Sequence, residues 1–331
     1  MIGSDIRAQV EMLTKAYPQI ADSLDPERVE AACQVAVDSS TLSDDFGAAS
    51  SGGRGENYVA AQKATHTRGV GISRLVDLFA RHSRAESGLV VDALGGDGLV
   101  NRFVATLDRS DWPEIITCDA SPFMVAQAWA QGLPALLQRA ESSLFRTASV
   151  GGVLLAYGTH HIPRELRGTV VDEAFRIVQP GGILVLHDFL VGSPMDTWFS
   201  KVVDAYSATG HDYPHFERDE AASYLHASGF ADVETFLMED PFVMWGETRE
   251  EAELELGRYL TEMYGLVRLT EERGELAAYR HTFELAQEIF RYEQPGGRYR
   301  EVSSQWDDSR GKWSAVMPRD AYIGLGRKPL S

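Results

Sequence analysis

Asp92 and the glycines after it are the residues best suited to hold a small polar ligand. In Leu89-Val-Val-Asp-Ala-Leu-Gly-Gly-Asp-Gly98 an apolar run of strand character breaks into a turn holding Gly95, Gly96 and Gly98, with Asp92 just before it and Asp97 inside it. Glycines let the backbone approach a ligand closely, and a helix that follows presents free N–H groups at its start. A second apolar run, Glu114-Ile-Ile-Thr-Cys-Asp119, also ends on a carboxylate, followed by Ala120. A carboxylate at such a strand end can accept both hydroxyls of a ribose, as in doubly wound nucleotide-binding folds. The glycine turn alone would be equally consistent with any tight turn. Strand, glycine turn, helix, strand and terminal Asp in that order carry more weight.

Further along, Tyr157, His160 and His161 close another apolar run. A histidine with a pKa near neutral can take a proton from an attacking hydroxyl or amine. His187-Asp188 and the His-x-x-x-His spacing of His211 and His215 contain the residue types of a metal site. Pro214 works against a regular helix presenting His211 and His215 on one face. The expectation is therefore hydrogen-bonded loop histidines and no metal. Tyr58, Trp129, Tyr157, Trp245 and Tyr264 are aromatics able to face a cation, an attraction of roughly 0.5–2 kcal/mol. Tyr58 and Tyr157 are the best placed of these. Lys63, His66 and Arg68 are cations that could meet a carboxylate.

The elements that must position these groups follow from periodicity. Residues 4–38 carry a helical pattern, with Ile6, Val10, Leu13 and Ile20 on one face. Ser43–Gly55, rich in Ser, Gly and Asp, reads as a mobile loop. Tyr58–Arg81 reads as helix, with Ile72, Leu75, Val76 and Phe79 inward. Residues 1–86 are thus expected to be a helical cap. From residue 87 strands and helices alternate, which implies a parallel sheet with helices on both faces. Strands are expected at 89–94, 114–118, 133–137, 152–157, 182–187, 232–238 and 320–326. A helical insertion is expected at 247–293, its Leu254, Leu256, Tyr259, Leu260, Met263 and Tyr264 giving an apolar face that would close a lid or a dimer. The fold class is α/β: a doubly wound, seven-stranded, mostly parallel sheet with an N-terminal helical cap and a helical insertion before the last strand.

Composition excludes several classes. The net charge of -18 leaves no basic surface to neutralise phosphates, so no nucleic acid is expected. Cys33 and Cys118 are too few and too scattered for a disulfide framework or a thiolate zinc site. No apolar run of membrane-spanning length and no signal-peptide pattern occurs, so a cytoplasmic protein is expected.

With these residues in place, the chain resembles the class I S-adenosylmethionine (SAM)-dependent methyltransferases. Its turn resembles their Asp-x-Gly-x-Gly-x-Gly element. Val153-Leu-Leu-Ala-Tyr-Gly-Thr-His-His-Ile-Pro163 resembles their fourth strand and its His-His-x-Pro exit. Ala174-Phe-Arg-Ile-Val-Gln-Pro-Gly-Gly-Ile-Leu-Val-Leu-His-Asp188 resembles the helix, turn and fifth strand that follow, and Asp320–Pro329 the last strand. The likeness runs from about residue 88 to 240 and resumes at about 313. It implies SAM as cofactor, held by Asp92, Gly95, Gly96, Asp97 and Gly98 at its methionine end, and by Asp119 and Ala120 at the ribose. It also implies that Glu141 and Ser142 lie by the adenine amine. One departure stands out: Leu94 occupies the place of the family's first glycine.

The resemblance implies an enzyme that methylates a small molecule in specialised metabolism, with Tyr58, Tyr157, His160 and His161 as candidate catalytic residues. Leu94, the cap, the late insertion and the acidic surface are also faintly similar to azetidine-2-carboxylate synthases, in which SAM itself is the substrate of an internal cyclisation. A metal-assisted α-keto acid C-methyltransferase and a non-catalytic SAM-binding partner protein are further alternatives, and a homodimer stays open.

Overall fold

The computed structural model describes residues 4–34, 47, 55–107, 109, 112–208 and 210–330. The expected loop at Ser43–Gly55 and the end of the first helical pattern, 35–38, lie almost wholly outside these. Seven strands form the main sheet: β1 (Leu89–Asp92), β2 (Glu114–Asp119), β3 (Ala135–Leu137), β4 (Val150–Leu155), β5 (Val178–Asp188), β6 (Ala231–Glu239) and β12 (Asp320–Arg327). Their order is β3-β2-β1-β4-β5-β12-β6. All neighbours run parallel except β12, which is antiparallel to both β5 and β6. The strand order reverses between β1 and β4, and the crevice at the carboxyl ends there is where such sheets take ligands.

The central strands β1, β4 and β12 are apolar on both faces because they are covered on both, whereas the edge strand β6 is largely exposed. Along β1, Val90 joins one core and Leu89 and Val91 the other, the alternation a pleated strand imposes. The first core contains Ile72, Leu75, Val76 and Phe79 of helix Gly69–His82, as the periodicity predicts. Leu256, Tyr259, Leu260, Met263 and Tyr264 belong to that same core. The apolar face expected to be an exposed lid or dimer surface is thus buried within the chain's own packing, with Tyr264 edge-on to Trp198 at 5.7 Å.

The N-terminal segment divides. Helices Ile6–Ala16, Pro18–Ala21 and Pro26–Gln34 pack into the second core through Ile6, Leu13 and Ile20. They also close the free edge of β3, where Gln9 Oε1 accepts the Leu137 N–H at 2.8 Å. Helix Gly55–Gln62 and the short 3₁₀ turn Thr65–Arg68 lead instead to the glycine turn, so the single helix expected over 58–81 is broken before Gly69.

The expected helical insertion is present as helices Arg249–Met263, Val267–Arg273 and Glu275–Ile289. Around it are strands that the sequence reading did not anticipate: β7 (Phe242–Gly246), β8 (Arg291–Gln294), β9 (Arg298–Glu301), β10 (Ser303–Asp307) and β11 (Lys312–Met317). β10, β11 and β7 form an antiparallel sheet, with Trp306 opposite Trp313. The signal was there in the alternating run of 303–307 and 312–317, separated by a turn that ends on Gly311 at φ +62°.

Candidate functional site

The glycine turn is held by β2. Gly95 donates its N–H to Cys118 O at 2.8 Å, and Gly96 donates to Asp119 Oδ2 at 2.9 Å. Asp119 Oδ1 accepts the Ser121 N–H at 2.8 Å, which orients the carboxylate at the strand end. Gly98, at φ +85°, then starts helix Leu99–Ala105. A Cβ on Gly98 would lie 2.4 Å from Leu133 Cδ1, and one on Gly95 2.8 Å from Thr117 Cγ2 and 3.0 Å from Asp92 Oδ2. Both positions therefore require glycine on packing grounds.

Asp92 ends β1 beneath this turn, 1% exposed, and no described group hydrogen-bonds to its buried Oδ2. Burial, then the nearby Asp119 charge, pushes its pKa up to about 8. Asp97 is equally buried, but its Oδ2 pairs with Arg102 at 2.8 Å, tying the turn to the helix after it. Leu94 is half-buried and packs with the second core. Ala120 is exposed at the strand end. Tyr58 lies over the turn, its Cε1 3.8 Å from where a Gly96 Cβ would be.

Next to the turn sits a guanidinium that forms no ion pair with a described carboxylate. Arg68 is 5% exposed; its Nε donates to Tyr259 Oη at 3.1 Å and its Nη2 lies 3.0 Å from Met263 Sδ. Its buried Nη1 has no partner among the described residues. Burial opposes its charge, yet the tyrosines around it, Tyr259 first, hold its pKa above the usual arginine value. Its Cζ lies 4.7 Å from the Tyr157 ring centroid. Tyr157, at φ +63°, also meets the His187 ring at 4.5 Å between centroids, and its buried hydroxyl has no described partner. The ring that the sequence offers to a cation thus already meets Arg68 and His187. Burial, then Asp240, raises the Tyr157 pKa well above the usual phenol value, so Oη stays protonated.

Adjacent residues of β5 serve opposite faces. His187 turns to Asp240: Nε2 lies 3.1 Å from Asp240 Oδ2, while Nδ1 accepts the Tyr157 N–H at 3.5 Å. Arg319 grips the same carboxylate and its backbone oxygen. This Arg319–Asp240–His187 chain is fully buried and was not read from the sequence, where Asp240 and Arg319 sit in unremarkable turns. Against the pull of burial, Arg319 and His187 hold the Asp240 pKa below the usual range.

Asp188, one residue on, turns to His160 instead. It accepts the His160 N–H at 2.6 Å, and its Oδ2 lies 3.0 Å from His160 Nδ1. The His160 ring meets His161 at 4.5 Å, His211 at 5.2 Å and His215 at 5.1 Å between centroids. The sequence grouped His187 with His211 and His215, but the pleat sends His187 away from them. Glu141 and Ser142, expected by an adenine, lie beyond β3: Glu141 pairs with Arg139 and Ser142 is exposed.

Residues 91–186, which contain this turn and both strand ends, match the model of a family described as a methyltransferase domain. That stretch is similar to a methyltransferase domain. No curated protein sequence matches it. Among solved structures it is similar to the YcgJ protein of Bacillus subtilis, at 16% identity over 78% of this chain and 99% of that one, with a TM-score of 0.44. It is also similar to phosphoethanolamine N-methyltransferase 2 of Haemonchus contortus (14%, 78% and 52%, TM-score 0.47) and to the [4+2]-cyclase SpnF (15%, 78% and 82%, TM-score 0.42). None of the three says what this chain acts on.

The likeness to a methyltransferase domain implies SAM as cofactor, and the residues present fit that group. A buried carboxylate oxygen without a donor at Asp92 suits an ammonium. Asp119 ends β2 with a carboxylate oriented by two backbone N–H groups, where such folds meet a ribose. The unpartnered Nη1 of Arg68 suits a carboxylate. No described helix is long and apolar enough to cross a membrane.

Proposed function

We propose that this protein is a SAM-dependent methyltransferase acting on a small molecule. The observation that carries the reading is the pair of carboxylates, Asp92 and Asp119, joined through the glycine turn, with the Asp92 oxygen buried and awaiting a donor. When bound, SAM supplies a sulfonium methyl group that is already activated. Asp92 would hold the amino group, Asp119 the ribose hydroxyls, and Arg68 the carboxylate of the methionine part. Tyr58, over the turn, would cover the ligand from the cap side and help to exclude water.

Tyr157 follows β4 at the switch in strand order, and its role is that of a hydrogen-bond donor, since its hydroxyl stays protonated. His160, three residues on, has its ring fixed by Asp188 through Nδ1 and would face the acceptor. His161, half-exposed beside it, lines the approach. Transfer then depends chiefly on holding acceptor and methyl in line within a closed site. The acidic balance of the chain favours a small molecule over a nucleic acid.

Incubating the purified protein with SAM, alone and then with candidate acceptors, tests the reading by mass spectrometry of the nucleoside product. S-adenosylhomocysteine formed only with an acceptor supports methyl transfer. Methylthioadenosine accumulating from SAM alone would replace this reading with internal cyclisation.

A further inference from the structure

Four histidines from two separate segments meet beyond β4 and β5. His160 and His161 lie on the 3₁₀ turn Thr159–His161, and His211 and His215 on the irregular segment before helix Glu220–Ala227. Ring nitrogens of His160, His161 and His211 all lie within 4.8 Å of one another, and His160 also shares such a group with Asp188 and His215.

Two of these rings have an assigned proton. His160 Nδ1 faces Asp188 Oδ2 at 3.0 Å, and His215 Nδ1 faces Asp196 Oδ1 at 2.7 Å. A carboxylate only accepts, so each Nδ1 carries the hydrogen and each Nε2 is left with a bare lone pair. Both Nε2 atoms are buried, on residues 3% and 4% exposed, and no described group donates to either. A buried acceptor without a donor is costly, and two on neighbouring rings double that cost unless a ligand fills them.

We propose that His160, His161 and His211 bind one divalent transition-metal ion. Imidazole ligands without thiolate suit zinc, cobalt, nickel or iron and disfavour magnesium and calcium. Asp188 does what a carboxylate behind a metal-bound histidine does: it fixes the tautomer and the ring orientation and raises ligand basicity. His161 and His211 are half-exposed, which gives an ion a way in. Three protein nitrogens leave room for water or an oxygen-donor ligand. The role of the ion rests on the reading above: it would polarise an acceptor oxygen held beside the methyl group. Its binding does not depend on that reading.

The test uses the full chain, purified with a tag that binds no metal and freed of metal by chelator. Titration with Co²⁺ should bring up a visible ligand-field absorption saturating at about one ion per chain, displaced by Zn²⁺. His211→Ala and His161→Ala, at half-exposed positions, should weaken Co²⁺ binding at least tenfold and change the spectrum. His226→Ala, on an exposed helix position, should change neither. Far-UV circular dichroism checks that each variant is folded. Less than about one-tenth of an ion per chain after Zn²⁺ reconstitution, or unchanged Co²⁺ affinity in a folded His161→Ala/His211→Ala double variant, would overturn the site. Metal binding without methyl transfer would leave the site standing and count against the methyltransferase reading alone.

Discussion

The backbone N–H of Gly96 donates to Asp119 Oδ2 at 2.9 Å, so the turn after β1 and the end of β2 are one rigid piece. A ligand spanning them meets acceptors whose spacing is fixed before it arrives. Asp119 already holds two backbone donors, and Asp92 holds no described donor at Oδ2. The two carboxylates therefore respond differently to mutation.

Asp119→Ala removes both the ligand acceptor and the tie to Gly96. Calorimetry should find that S-adenosylhomocysteine and methylthioadenosine weaken in parallel, each by about 1.5–3 kcal/mol, the cost of losing hydrogen bonds to a charged group. Parallel loss is expected because both ligands carry the ribose. A loss for one ligand alone would remove Asp119 from the ribose.

Asp92→Asn should weaken SAM yet stabilise the protein in alkaline solution. The folded carboxyl holds its proton until about pH 8, whereas an unfolded aspartate releases it near the ordinary value. Between those values the folded state binds the extra proton, so this group's contribution falls as pH rises from about 4 to about 8. Asparagine never ionises. Its advantage in unfolding free energy should be near zero at pH 4 and grow by up to about 1.4 kcal/mol per pH unit until about pH 8. An advantage that stays constant with pH would show that Asp92 is not strained in this way.

Arg68→Met should separate ligands by their carboxylate. It removes a buried cation that no described carboxylate pairs with directly, although Asp97 and Asp240 feel its charge, so folding stability should hold to within about 1–3 kcal/mol. S-adenosylhomocysteine should bind at least tenfold more weakly, or about 1.4 kcal/mol, while methylthioadenosine, which has no carboxylate, keeps its affinity. Equal losses for both would mean that Arg68 shapes the pocket and does not read the carboxylate.

Asp240→Ala leaves Arg319 buried without its carboxylate and His187 without its acceptor. Denaturant unfolding should show a loss of about 3–5 kcal/mol, the usual consequence of breaking a buried pair from one side. A loss under about 1 kcal/mol would place this pair with exposed ion pairs.

The sequence made the seven-stranded sheet legible because a strand covered on both faces must be apolar throughout, and each such run ended in turn residues. Asp92, Gly95, Gly96, Gly98 and Asp119 were legible for a related reason: a close backbone approach and a strand-end carboxylate leave a local pattern. The sheet of β7, β10 and β11 was passed over because its half-exposed strands are short and polar on one side. The fate of the apolar face at 256–264 was also hidden, since periodicity says that a face is buried but not against what.

What the sequence by itself determined, then, is the order of strands and the carboxylates and glycines at their ends, because those depend on residues close together in the chain. Only the tertiary structure decided the partners of buried charges. Arg68 found Tyr157 and Tyr259, and Asp240 found Arg319 and His187. His187 was separated from His211 and His215, and His160 joined them instead. Desolvation makes such pairings strong, yet they link residues up to 191 positions apart, and no local pattern records them.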